Sequence, residues 1–297
     1  MGIHDTMQEL ERLRRKRQGA QYVVLAIFIL FFVMWFSILS QPNSTKFLFA
    51  PFLFGILIFF LLRQLSACQK EFDRLYKETF VPNVLQQYFQ NLVYIGDHGF
   101  AREEVKQFGL ARLGNIFQSE DLIRGQYRGI NFAQSDVTIR HKSGGKNKQT
   151  TTYFKGRMFV FDFPKNEVIS LQVHSKNFLF HAGSPGSFKL QKVEMEDVDF
   201  NKRFVVASVS AHDAFYILTP PLLIRIKAIC ERYGNVAMHF SCGKLYVGIN
   251  TRSNAFDANM QKPLSYPEEQ ARIHHDAQVI IDIIDTMTDT FYKEGSL

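Results

Sequence analysis

Residues that could do chemistry are plentiful in this 297-residue chain, but they are scattered. The nine histidines are His4, His98, His141, His174, His181, His212, His239, His274 and His275. None stands in an H-E-x-x-H pattern, and the adjacent His274 and His275 would point about 100° apart on a helix, a poor arrangement for a shared metal. His212-Asp213 could begin a metal site for phosphoester hydrolysis, but that chemistry requires further His and Asp ligands from other helices. A local role is simpler: Ser210 is placed to cap a helix and Asp213 to answer it. Glu194, Glu196, Asp197 and Asp199 could supply acid–base work if a cleft raised one pKa. Four carboxylates before a strand, followed by Lys202 and Arg203, more simply form a solvated turn. Gly144-Gly145-Lys146-Asn147 lacks the upstream glycine and the Ser/Thr of a phosphate-binding loop. Gly183-Ser184-Pro185-Gly186 has its serine in the wrong place for a nucleophile elbow, and no G-x-G-x-x-G occurs. Cys68, Cys230 and Cys242 form no spaced motif, which suits a reducing compartment. No catalytic, cofactor-binding or metal-binding residue is therefore assigned, and no cofactor is expected.

The charge points elsewhere. The formal net charge is +7. Residues 1–70 hold 8 Lys and Arg against 3 Asp and Glu, and the remaining residues hold 27 against 25. A nucleic-acid-binding domain would carry the excess itself, as a patch facing phosphate. Here the excess precedes residue 71, so no nucleic-acid partner is expected. The basic tract from Arg140 to Lys148 reads as a solvated hairpin loop.

Stepping from side chains to the elements that carry them, Ala20 to Leu39 is uncharged and long enough, at ~30 Å as a helix, to cross a bilayer core. Phe47 to Leu62 gives ~24 Å, and the flanking Lys46 and Arg63 can snorkel to extend it. Gln41-Pro42-Asn43 supplies turn chemistry between them. The pattern predicts a transmembrane helical hairpin rather than a cleaved signal peptide or a buried soluble hairpin. Arg12, Arg14, Arg15, Lys16 and Arg17 precede the first span, and Arg63 follows the second. These six residues are the expected membrane-surface contacts, with anionic lipid headgroups as partners. The positive-inside rule then places both termini in the cytoplasm.

Four segments are expected: a basic N-terminus (1–19), the hairpin (20–65), a helical juxtamembrane stalk (66–120) and an α+β cytoplasmic domain (121–297). In the last, period-two patterns such as Phe159-Val160-Phe161-Asp162-Phe163 predict a mainly antiparallel sheet with flanking helices. Thr219-Pro220 opens a helix that Gly234 ends, and Ser241-Cys242-Gly243-Lys244 is a tight hairpin. Ser265-Tyr266-Pro267-Glu268 opens a final helix reaching about Lys293. Its seam of Ile273, Ala277, Ile280, Ile284, Met287 and Phe291 is expected to pack onto the domain's own sheet.

Several of these stretches, FKGRMFVFDFPKN, VEMEDVDFNKRFVVASVSAHDAFYILTPPLL and HFSCGKLYVGIN, with KETFVPNVL and SEDLIRGQYRG upstream, resemble the bacterial domain-of-unknown-function family 3137. The resemblance spreads over residues 71–256, and the family's two N-terminal spans are present. It implies a bacterial inner-membrane protein and points to a LemA-type membrane protein as a candidate partner within an envelope-associated complex. It supplies no activity and no site residue. The expected function is a membrane-anchored binding or scaffold module, with a membrane-bound hydrolase or transferase as the alternative. Buried titratable residues clustered in one cleft would favour the alternative.

Overall fold

The computed structural model describes residues 3–39, 50–144, 148–165, 168–176, 178, 189–258 and 260–288. The turn at Gln41-Pro42-Asn43, the first residues of the second span, Gly145-Lys146-Asn147, His181, the strand expected around Phe180, Gly183 to Gly186 and the end of the last helix lie outside the described residues. The chain forms two compact units, Met1–Asn83 with Ala258–Ala271, and Val84–Asp257 with Arg272–Leu297.

The first unit is built on α1 (Ile3–Leu39) and α2 (Ala50–Leu75). Both are long and apolar enough to cross a membrane, and none of their most apolar stretch is buried within the protein. Phe31 stacks on Phe54 with ring centroids 3.7 Å apart, while the Cys68 thiol reaches the Leu13 carbonyl at 3.4 Å. The pairing of 31 with 54 and 13 with 68 makes the helices antiparallel. Near the polar ends the packing closes over: Met7, Leu10, Phe72, Tyr76 and Phe80 are buried. The returning segment 258–271 joins them, with the Tyr76 hydroxyl donating to Glu269 at 2.8 Å and the Leu264 N–H to Glu11 at 3.1 Å.

Pro82 is expected to interrupt the helix, yet the chain stays helical to Leu85. A π-helical turn at Tyr76–Phe80, closed by the Val81 N–H on the Tyr76 carbonyl, precedes α3 (Val81–Leu85). Widening the turn accommodates a proline that has no N–H to donate.

The second unit is α+β. Its strands are β1 (Gln90–Ile95), β2 (Ile116–Tyr127), β3 (Ile130–Lys142), β4 (Thr150–Asp162), β5 (Leu171–Ser175), β6 (Gln191–Val193), β7 (Phe204–Ser208), β8 (Val236–Ser241) and β9 (Lys244–Ile249). They form one antiparallel sheet in the order β1-β2-β3-β4-β9-β8-β5-β7-β6. The helices are α4 (Arg102–Phe108), α5 (Val198–Arg203), α6 (Ala211–Ile217), α7 (Pro220–Tyr233) and α8 (Tyr266–Met287). Cys242 and Gly243, both at positive φ, make the β8–β9 turn read from the sequence.

Alternation sorts the side chains onto two faces. On one, Phe132, Phe159, Phe161, Leu245, Val247, Met238 and Phe240 are buried. The Arg157 guanidinium on this face reaches the Asp276 carbonyl of α8 at 2.7 Å. On the other face, Val137, Ile139, Phe154, Met158 and Ala237 pack with Val105 and Phe108 of α4. Each fully buried phenylalanine contributes roughly 1.5–3 kcal/mol to this core. The α8 seam from Ile273 to Met287 is buried within the chain.

One expectation for residues 66–120 needs correction: β1 lies inside the segment read as helical. Its alternation is hard to see because Val93 and Ile95 are exposed on a sheet edge.

Candidate functional site: a polar cleft at the end of the sheet

The face carrying Phe132, Phe159 and Phe161 changes character along β3 and β4. Moving from Phe132, the same-face residues are Gln134, Asp136, Thr138 and Arg140, opposed in register by Phe159, Arg157, Lys155 and Thr152. The apolar half is buried; the polar half opens into a cleft of about 940 Å³. Its floor includes Asp136, Thr138, Arg140, Thr152, Lys155 and Gln118 of β2, and its walls come from residues 97–101 and Asn254.

Backbone irregularities shape the walls. Asp121 lies at a register shift in β2 with φ +57°, fully buried, and accepts the Tyr94 hydroxyl at 2.5 Å. A bulge of this kind bends the strand and ends regular pairing. The segment after β1 crosses β2 here, with the Asp121 N–H on the Gly96 carbonyl and the Leu122 N–H on that of His98. Gly99 allows the approach: a Cβ there would lie 2.6 Å from the Glu120 nitrogen.

Asp136 sits at the boundary between core and cleft and is 3% exposed. One carboxyl oxygen accepts the Ala255 N–H at 2.5 Å, and the other has no partner among the described residues. Burial pushes its pKa up to about 8, against the pull of the Arg157 charge. A carboxyl so placed is largely protonated at neutral pH and can donate a hydrogen bond. Arg157 donates to the Asp276 carbonyl and to Gln134 and lies over the rings of Phe159 and Phe256. Burial draws its pKa below the ordinary guanidinium value, opposed by the charges of Asp276 and Asp136. Burial, then the Asp121 charge, raises the Tyr94 phenol.

A second polar pair is sealed. The Ser170 hydroxyl lies 2.9 Å from His239 Nε2, and His239 Nδ1 lies 2.9 Å from the Phe108 carbonyl. The carbonyl fixes the Nδ1–H tautomer, so Ser170 donates to Nε2. A nucleophile and its base share this geometry, but both residues are buried, at 2% and 1% exposure, out of reach of any substrate. The pair joins α4 to the sheet.

The membrane-surface residues expected from the sequence are not equivalent. Arg14 is buried, and its guanidinium grips Glu11 at 2.6 and 2.7 Å, so it is not available to headgroups. That grip holds the Glu11 carboxyl down to about 2, against its desolvation, with help from the Leu264 N–H and Arg15. Arg12, Arg15, Lys16 and Arg63 are exposed, and Arg17 is half-buried. Arg12 pairs with Glu9 and Arg15 with Glu11.

The other sequence candidates resolve into local structure. The Ser210 hydroxyl accepts the Asp213 N–H, while His212 is exposed and stacks on Tyr216. Asp197 caps α5 through the Phe200 N–H and pairs with Lys227 at 2.7 Å. No group of three or more His, Cys, Asp or Glu able to hold a metal occurs among the described residues. The sequence reading missed Asp136 and Arg157. The available signal was a charge at alternate positions of two otherwise apolar strands, Phe132-x-Gln134-x-Asp136 and Arg157-x-Phe159-x-Phe161.

The fold defines a class: two apolar N-terminal helices followed by a large antiparallel sheet with flanking helices. Residues 152–288 match the model of the family described as Protein of unknown function (DUF3137). The matched segment runs from β4 through α8 and includes Thr152, Lys155 and Asn254 of the cleft; Asp136 and Arg140 precede it. No curated protein matches the chain in sequence. Among solved structures, the crystal structure of the mycobacterial trehalose monomycolate transport factor A, TtfA, matches at 9% identity and a TM-score of 0.39, over 68% of this chain and 93% of that one.

Proposed function

We propose that the protein is a binding or scaffold module held at the cytoplasmic face of a bacterial inner membrane by a two-helix hairpin, with the polar cleft as its binding element. One observation carries the anchoring: the apolar stretches of α1 and α2 have none of their surface buried in the protein. A core helix would be covered; these leave Phe28, Leu30, Phe36, Phe52, Phe59 and Leu62 exposed, far more apolar surface than water tolerates in one patch. The antiparallel pairing supports placing residues near Leu13 and Cys68 on one side of the bilayer. Arg12, Arg15, Lys16, Arg17 and Arg63 favour the cytoplasmic side and contact with anionic headgroups. Envelope proteins of the LemA type are the partner class to examine first, and nucleic acid is not a partner. Alkaline carbonate extraction of membranes tests the anchoring. The full chain stays in the pellet; release into the supernatant would refute it.

One observation favours a second reading, a membrane-bound hydrolase or transferase. Asp136 is a buried carboxyl in a cleft with a pKa near the working range of a general acid or base. Asp136→Asn separates the readings: it abolishes turnover in an enzyme and leaves a binding module able to hold its ligand.

A further inference from the structure

The cleft floor is rich in hydrogen-bond donors. The Gln118 side-chain oxygen is occupied by Arg140 Nη2 at 2.8 Å, which leaves the Gln118 amide N–H groups as its remaining polar atoms. Arg140 Nε is buried and has no hydrogen-bond partner among the described residues. Lys155, opposite Thr138, lies one same-face register pair from Arg140 and lines the cleft with it. The Thr138 hydroxyl adds another donor. Two acids at the rim keep their charge, Asp97 beside His98 at 2.7 Å and Glu120 accepting from Asn254 at 2.7 Å, so the attraction for an anion is local to the Arg140 and Lys155 part of the floor. Two cations and several neutral donors thus lie together on the cleft floor, a set that an anionic acceptor would satisfy.

We propose that the cleft binds a phosphate monoester, with Lys155 and Arg140 on the dianion and Gln118 and Thr138 completing its hydrogen bonds. A dianion matches the two cations, and its three terminal oxygens use more of these donors than a carboxylate could. The cleft is several times larger than phosphate alone and leaves room for the group to which the phosphate is esterified. This inference rests on reading the chain as a binding module, but not on where that module sits. The phosphoryl group could come from a soluble metabolite or from a lipid headgroup.

The test is calorimetric titration of the detergent-solubilised full chain with inorganic phosphate, glycerol phosphate, dihexanoyl phosphatidate and acetate. Saturable binding of at least one phosphoryl compound tighter than about 1 mM is expected, with acetate at least tenfold weaker. Binding of phosphatidate alone assigns the source to lipid; binding of glycerol phosphate as well assigns it to soluble esters. Lys155→Gln and Thr138→Val, each checked for an unchanged thermal transition, weaken binding tenfold or more and about threefold respectively, while Lys192→Gln, outside the cleft, does not. Absence of saturable binding by every phosphoryl compound, or equal affinity in Lys155→Gln, overturns the proposal. Carbonate extraction is unaffected by either outcome, so this failure is distinguishable from failure of the anchoring.

Discussion

Asp136 on β3 stands directly opposite Arg157 on β4, and the two buried groups direct their hydrogen bonds to different partners. The carboxyl holds the Ala255 N–H, and the guanidinium holds Gln134 and the Asp276 carbonyl. Asp276 in turn accepts the Phe256 N–H at 3.1 Å. One cross-strand position thus fastens the loop after β9 and the helix α8 to the sheet, at the border between core and cleft.

The raised pKa of Asp136 has a signed consequence. Between the ordinary carboxylate value of 3.8 and about 8, the folded state binds a proton that the unfolded state has released. This residue's contribution to stability therefore falls as pH rises through that window, by up to roughly 1.4 kcal/mol per pH unit. Asp136→Asn removes that dependence, and urea unfolding at pH 6 and pH 8.5 measures it. An unchanged slope in the variant would show that the carboxyl is ionised throughout.

Arg157→Ala leaves the Gln134 oxygen and the Asp276 carbonyl without their donor and is expected to cost roughly 1–3 kcal/mol for each. Arg157→Met keeps the packing against Phe159 and Phe256 and costs less. Thermal unfolding of both variants checks the order; equal losses would mean that the packing of the side chain contributes nothing and that the lost hydrogen bonds and charge account for the whole effect.

The sequence made the apolar helices, the β8–β9 turn and the α8 seam legible, because each depends on neighbours within a few residues. Phe159 and Phe161 reveal a strand face by alternation alone. Asp136 and Arg157 stayed hidden because their meaning comes from a register between strands and from a loop more than a hundred residues away. Arg14 was hidden for a related reason: its spacing groups it with Arg12 and Arg15, and only packing shows that it turns inward to Glu11. β1 escaped because an edge strand can expose Val93 and Ile95.

Burial lowers the pKa of His239, against the opposing bond to Phe108. In the Asp136→Asn background, stability should fall as pH drops below about 6.5, since the unfolded chain then takes up a proton that folded His239 resists. His174, lowered by burial in the same direction, adds to the loss. His239→Gln reduces the fall between pH 7.5 and 5, measured by urea unfolding. No reduction would assign the acid sensitivity to other groups.

The full chain in detergent should bind duplex DNA no more tightly than about 10⁻⁴–10⁻⁶ M at physiological salt. A salt titration with labelled DNA checks this. Tighter binding with a steep salt slope would mean that the basic N-terminal helix serves phosphate backbones rather than headgroups.

The central claim, a module anchored by a hairpin and facing the cytoplasm, is tested most directly by paired reporters in a bacterial host. One reporter pair, active in the cytoplasm or in the periplasm, is fused after Leu297, and the same pair is inserted between residues 42 and 44. Cytoplasmic activity at the C-terminus with periplasmic activity at the turn is expected. Periplasmic activity after Leu297, or cytoplasmic activity at both positions, would contradict it.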